Sequence, residues 1–168
     1  MKKYIIPGFA GIGKTTLEKL NPEDVIDMEI RLYKYANFKA EYTMKQWYEM
    51  KQILNEDFLP KYLQAIKDEI ENGTHKIILV WLKIDVLEFL KKENIEHTVV
   101  TWNDKEDGIK DFLEELYTKR GNPPFWREKV IRYLDVINNY AKENKINTIK
   151  LNKYENVQAK LKELNWLD

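Results

Sequence analysis

The sequence predicts an α/β fold with three α/β/α layers and a five-stranded parallel sheet. Three observations predict it. Short apolar runs alternate with amphipathic stretches along all 168 residues, as expected of βαβ crossovers with helices on both faces of a sheet. The run Lys76-Ile-Ile-Leu-Val-Trp81 is apolar without a break after its first residue, as in the middle of a parallel sheet. A glycine-rich turn, Gly8 to Gly13, separates the first apolar run from the first helical stretch.

Taken in order, Tyr4-Ile5-Ile6 reads as a buried strand ended by Pro7-Gly8. Thr15 to Leu20 starts a helix that Asn21-Pro22 stops, and Asp24 to Met28 is the second strand. From Thr43 the apolar residues Trp47, Met50, Leu54, Phe58, Tyr62, Ile66 and Ile70 recur at spacings of three and four. That spacing predicts one amphipathic helix, bent or restarted at Pro60 and ended at Asn72-Gly73. The third strand is Lys76 to Trp81. Asp85 is expected to cap a helix running to Lys92, followed by a strand from Thr98 to Trp102. Helices over Glu106–Thr118 and Phe125–Asn144 flank the interruption Lys119-Arg-Gly-Asn-Pro-Pro124. A last strand spans Thr148–Leu151 and a last helix Val157–Leu164. With no repeat or linker, the expectation is one domain over 1–168. It carries an acceptor-binding insertion at about 30–72 and a lid-like helical break at about 117–127.

Composition narrows the function. Lys plus Arg and Asp plus Glu both number 28, so no overall basic field favours nucleic acid. No cysteine is present, which excludes disulfides and thiolate metal sites and makes a cytoplasmic setting the default. No apolar stretch is long enough to cross a membrane or to serve as a signal-peptide core.

Gly8-Phe-Ala-Gly-Ile-Gly13-Lys14-Thr15 satisfies the pattern G-x-x-x-x-G-K-[ST], and each fixed residue has a task. The glycines permit positive φ and close backbone approach, so that successive N–H groups can form a nest for phosphate oxygens. Lys14 can reach the β- and γ-phosphates of a nucleoside triphosphate, and the Thr15 hydroxyl can take one Mg²⁺ position. The candidate nucleotide contacts are Gly8, Ala10, Gly11, Ile12, Gly13, Lys14, Thr15 and Thr16. The ligands implied are ATP and Mg²⁺.

Val25-Ile26-Asp27-Met28-Glu29 places two carboxylates two apart at a strand's C-terminal end, where doubly wound sheets bind ligands. Asp27 is the candidate second Mg²⁺ ligand, and Asp27 or Glu29 the group that orients the acceptor. Two solvated carboxylates on a turn are the alternative. The third strand runs into Trp81-Leu82-Lys83 and so lacks the acid that ends a conventional Walker B strand, which makes a motor ATPase or GTPase the less favoured class. Arg31 and Lys34, among the aromatics Tyr33, Tyr35 and Phe38, are candidate acceptor contacts, with a solvated charged face as the alternative. Arg120, ahead of Lys119, Arg127 and Arg132, is the candidate for neutralising transition-state charge. A glycine cap with cations in the last turn explains the same residues without function.

These parts resemble the small P-loop nucleoside and nucleotide kinase-like proteins, in particular the compact kind encoded by bacteriophages and low-GC bacteria. GFAGIGKTT, VIDMEIRLYKY, and the run from HKIILVWLKIDVLEFLKKENIEHTVV to LYTKRGN carry the resemblance. Shikimate and gluconate kinases look similar in placing a D-x-D or like pair where Asp27 and Glu29 stand. The resemblance implies a 2-3-1-4-5 strand order, ATP and Mg²⁺, phosphoryl transfer to a small acceptor, and Arg120 as a lid arginine. The expected activity is a kinase acting on a nucleoside or (deoxy)nucleoside monophosphate. Trp81-Leu82-Lys83 departs from that group, so two alternatives stay open: a nucleotide-binding regulator with little or no transfer, and a polynucleotide 5′-end kinase.

Overall fold

The computed structural model describes residues 1–168. Five strands, β1 (Tyr4–Gly8), β2 (Val25–Asp27), β3 (Ile77–Trp81), β4 (Val99–Trp102) and β5 (Thr148–Leu151), form one all-parallel sheet in the order β2-β3-β1-β4-β5. Eight helices surround it: α1 (Lys14–Leu20), α2 (Arg31–Lys34), α3 (Met44–Glu49), α4 (Phe58–Asn72), α5 (Ile84–Lys92), α6 (Ile109–Lys119), α7 (Pro124–Glu143) and α8 (Val157–Glu163). Strand order and class follow the expectation from the sequence.

Alternation along the central strands divides the core between the two faces of the sheet. Ile5, Ile78 and Val80 pack with Tyr62 and Ile66 of α4 and with Val86 and Leu90 of α5. Ile6, Ile77 and Leu79 belong to a larger cluster with Leu17 of α1, Tyr117 of α6, Leu134 and Ile137 of α7, and Leu161 of α8. These side chains are nearly all fully buried, each worth about 1.5–3 kcal/mol over exposure.

The expected strand stop at Pro7 is corrected: β1 continues through Pro7 to Gly8. Proline has no N–H for a ladder, and pairing of β1 with β4 is reduced to Gly8 with Val100 and a bridge at Ile5 with His97. The long helix expected over 43–70 is two helices. Residues 50–57 leave the helical path because they pair with the chain after α2. The Ala36 N–H donates to the Ile53 carbonyl (2.8 Å) and the Asn55 N–H to that of Lys34 (2.8 Å). The Asn37 side chain accepts from the Ile53 N–H and donates to the Lys51 carbonyl. Pro60 falls in the first turn of α4, where its missing N–H costs nothing. Asp85 does not cap α5; Lys83 holds the cap position and Asp85 lies in the first turn, where its charge still suits the helix dipole. The four-residue α2 has no counterpart in the sequence reading.

Candidate functional site

All five strands end on one edge of the sheet, and a cavity of about 1020 Å³ opens there. One wall is the turn between β1 and α1. Gly11 and Gly13 adopt φ of 84° and 100°, values that L side chains resist. At Gly8 the constraint is space: a Cβ there would lie 2.7 Å from Ile12 Cδ1 and 3.0 Å from Lys14 Cδ.

Three contacts hold this turn from behind. The Ala10 carbonyl accepts from the Tyr117 hydroxyl (2.8 Å) and the Trp102 indole N–H (3.0 Å). The Ile12 carbonyl accepts from the Val157 N–H at the start of α8 (3.0 Å). In a trans peptide the N–H points opposite to the preceding carbonyl. Anchoring the Ala10 and Ile12 carbonyls in the protein therefore turns the Gly11 and Gly13 N–H groups outward, and neither has a partner within the chain. Such outward amides make an anion nest. Ile12 takes part through its backbone alone, since its side chain is fully buried in the core.

Lys14 and Thr15 begin α1 beneath the turn. Lys14 Nζ donates to the carbonyls of Gly8 (2.9 Å) and Phe9 (3.1 Å). Burial lowers its pKa, against the pull of Asp27 and Glu29. Thr15 Oγ1 donates to Asp27 Oδ2 at 2.9 Å. Asp27 ends β2 nearly buried, and its N–H is tied to Glu18 Oε1 of α1 at 3.0 Å. Burial pushes the Asp27 carboxyl up, with nearby Lys14 opposing.

The Met28 N–H still donates to the Leu79 carbonyl (2.9 Å); beyond it the strands part, and one side chain fills the gap. The Tyr62 hydroxyl donates to the Met28 carbonyl (2.8 Å) and accepts from the Trp81 N–H (2.8 Å). It thereby stands between the chains that leave β2 and β3. Glu29 follows and pairs with Arg31, whose Nε lies 2.8 Å from Glu29 Oε1. Burial pushes Glu29 up, but the Arg31 hydrogen bonds and charge win and hold its carboxyl below the usual range. Arg31 also lies over Phe38, 4.5 Å from the ring centroid, and its Nη1 is 3.3 Å from Met44 Sδ.

Arg120 caps α6 and lines the cavity beside the turn, its Nη1 3.6 Å from where a Cβ at Gly11 would stand. Its charge acts on both Lys14 and Arg31, and it makes no ion pair of its own. The other cations of that break are engaged: Lys119 with Glu115, Arg127 with Glu114, and Arg132 with Glu128. Met44 of α3 touches the break as well, through the Asn122 amide at 3.7 Å from its sulfur.

The structure thus brings Gly8, Ala10, Gly11, Gly13, Lys14, Thr15, Thr16, Asp27, Glu29, Arg31, Lys34 and Arg120 to one cavity. Glu29 and Arg31 are satisfied by each other. Sequence reasoning missed the wall from α7, including Trp126, Lys129 and Tyr133, and missed Trp81 and Lys83 as lining residues. The last two were findable, because they stand at the C-terminal end of a predicted central strand. The α7 face was not, because helical periodicity alone does not say which neighbour a stripe meets.

A Mg²⁺ ion fits this donor set. It is commonly held by one or two protein oxygens, completed by phosphate and water. The Thr15 hydroxyl and the Asp27 carboxylate supply two adjacent oxygens, and no group of three or more metal-ligating side chains is gathered anywhere. No protein-family model and no curated protein matches the chain. An uncharacterized protein of known structure from Eubacterium ventriosum is similar over 98% of this chain and 96% of its own, at 11% identity and a TM-score of 0.47. So low a score is no basis for transferring fold or function. No helix is long and apolar enough to cross a membrane.

Proposed function

We propose that the cavity binds ATP with Mg²⁺ and transfers the γ-phosphoryl group to a small acceptor, a nucleoside or (deoxy)nucleoside monophosphate, in the manner of the small P-loop kinases. The observation that carries this reading is the Thr15–Asp27 hydrogen bond directly beneath the Gly8–Lys14 turn. It sets a paired hydroxyl and carboxylate next to an outward amide nest and a half-buried lysine. Phosphoryl transfer relies on positioning and charge neutralisation more than on covalent chemistry, and each residue has a part in that.

The Gly11 and Gly13 amides bind phosphate oxygens. Lys14 leaves the Gly8 and Phe9 carbonyls to reach the β- and γ-phosphates, exchanging two neutral acceptors for charged ones. Thr15 and Asp27 hold Mg²⁺, which when bound offsets charge on the phosphate oxygens. Glu29, kept ionised by Arg31, orients or deprotonates the acceptor. Arg120, with no carboxylate to neutralise it, faces the transferring group, where a fixed cation lowers the barrier.

Labelled ATP offered to a panel of nucleosides and nucleoside monophosphates tests the reading. Transfer to one of them that needs Mg²⁺ is expected. Lys14→Ala should lose transfer while keeping the wild-type circular dichroism spectrum and thermal midpoint or a higher one, because the charged lysine is itself disfavoured by burial. Turnover unchanged in that variant would sink the proposal. A second reading, nucleotide sensing without transfer, draws on Trp81, which faces Gly8 in the β1–β3 register where a conventional Walker B acid would stand. Tight ATP binding with no acceptor in the panel phosphorylated would favour it.

A further inference from the structure

The cavity extends past the nucleotide side to a second group of cations that the mechanism above does not use. Lys34 of α2, Lys83 at the end of β3 and Lys129 of α7 all line it. They come from three separate elements, and none forms an ion pair. Lys34 and Lys83 flank Trp81, with Nζ 5.9 Å and 5.3 Å from its ring centroid. Lys83 Nζ also sits 4.0 Å from the centre of the Tyr133 ring.

The arrangement is unfavourable as it stands. Lys83 is pushed down by burial, then by the charges of Lys129 and Lys34, with only Asp85 opposing. Like charges gathered together cost folding energy, and no carboxylate pairs directly with any of the three lysines. The two carboxylates that line the cavity closest in sequence to these elements, Glu29 and Glu128, are already held by Arg31 and Arg132.

We propose that Lys34 and Lys83, beside the ring of Trp81, form with Lys129 of the same cavity a second anion site that holds a phosphate or carboxylate of the acceptor remote from its reacting oxygen. The acceptor's role rests on the phosphoryl-transfer reading; the anion site stands or falls by itself. The occupant is a small molecule with two ends, such as a nucleoside monophosphate that reacts at a sugar hydroxyl: the hydroxyl reaches Asp27 and Glu29, and the anionic group, there its phosphate, lies at the lysines. Trp81 offers a flat face beside that group, and the partial charges of the ammonium groups are shared between ring and anion. An acceptor lacking the second anion would leave the half-buried Lys34 and Lys83 and the exposed Lys129 unanswered, so the site selects against it.

The test uses the full chain, with inorganic phosphate and acetate as probes followed by NMR at the Trp81 indole. Lys14→Ala removes the nucleotide-side lysine, and the double variant Lys34→Gln/Lys83→Gln removes the second site. Phosphate binding that survives Lys14→Ala and weakens about tenfold or more in the double variant is the expected result. Acetate that binds with the same dependence assigns the site to carboxylates as well; acetate that fails assigns it to phosphate. The double variant should still bind ATP as the wild type does. Phosphate binding lost in Lys14→Ala but unchanged in the double variant would overturn the second site and leave the nucleotide reading standing. ATP binding absent from the wild type, with phosphate binding still lost in the double variant, would do the reverse. A 5′-hydroxyl oligonucleotide that binds more tightly than phosphate through the same lysines would overturn the small-molecule occupant in favour of a polynucleotide.

Discussion

Asp27 is a carboxyl group that burial makes costly to ionise. Its carboxyl is buried and its pKa raised, so the folded chain holds a proton there more tightly than the unfolded chain does. The sign follows from linkage. Stability contributed by this group declines as pH rises from the ordinary value of 3.8 through the folded value, and the penalty is present in full above it. Asp27→Asn should therefore raise the thermal midpoint at neutral pH, and the gain should shrink as pH falls toward 3.8. Added Mg²⁺ should stabilise the wild type and leave the variant unmoved, because the variant keeps the Thr15 hydrogen bond but not the charge. Melting curves with and without Mg²⁺ at two pH values read both effects. A variant less stable than the wild type at neutral pH would show that the carboxylate is a net structural asset instead. Asp27 was visible in the sequence because it ends an apolar strand; its partner Thr15 was visible because it follows a lysine in a fixed pattern. That the two share a hydrogen bond was not, since it depends on how α1 lies against β2.

Among elements, α4 contributes most to the site from a distance. Tyr62 reaches from its buried face to the divergent ends of β2 and β3 and bonds a backbone group on each. Burial pushes its hydroxyl pKa far up, so it remains a neutral donor and acceptor at any working pH. Tyr62→Phe would leave the Met28 carbonyl and the Trp81 N–H without a protein partner, at a cost of about 1–3 kcal/mol. Denaturant midpoints should fall accordingly, and ATP binding should weaken less than binding on the acceptor side, because Met28 and Trp81 frame the latter. In the sequence Tyr62 is one apolar position among several at helical spacing, and nothing distinguishes its hydroxyl. The same periodicity misread residues 50–57, where apolar residues continue the helical spacing but Asn37 and the backbone of 34–37 offer better partners. Local pattern lost there to a contact between segments some 16 residues apart.

Across the whole molecule, the ends of the chain meet behind the glycine-rich turn between β1 and α1. Val157 at the start of α8 holds the Ile12 carbonyl, and Val157 and Leu161 are buried in the same cluster as Ile12 and Leu17. Trp166 stacks on Tyr4 of β1, with ring centroids 4.4 Å apart. The last twelve residues are therefore part of the site's support. Removing residues 157–168 should lower the denaturation midpoint and also weaken ATP binding at temperatures where the shortened chain remains folded, as read by titration calorimetry. A truncated chain that binds ATP with unchanged affinity would limit α8 to a packing role. The Tyr117 and Trp102 contacts to the Ala10 carbonyl would still hold the turn from its other side, so reduced affinity is expected and not complete loss.

By itself the sequence determined the class of fold, the 2-3-1-4-5 order through a resemblance, and the glycine-rich turn and carboxylates that line the cavity. These are local matters: glycines that permit an unusual backbone, apolar runs of strand length, and a carboxylate at a strand's end. Only the tertiary structure decided which cations are free. Lys119, Arg127 and Arg132 look like Arg120 in the sequence, yet each has a carboxylate partner and Arg120 has none. It also decided that Lys34, Lys83 and Lys129, spread over 95 positions, line one cavity with no ion-pair partner among them. The physical reason is that a charge's role depends on the charges around it. Those neighbours are set by how helices pack on the sheet, which no single segment encodes.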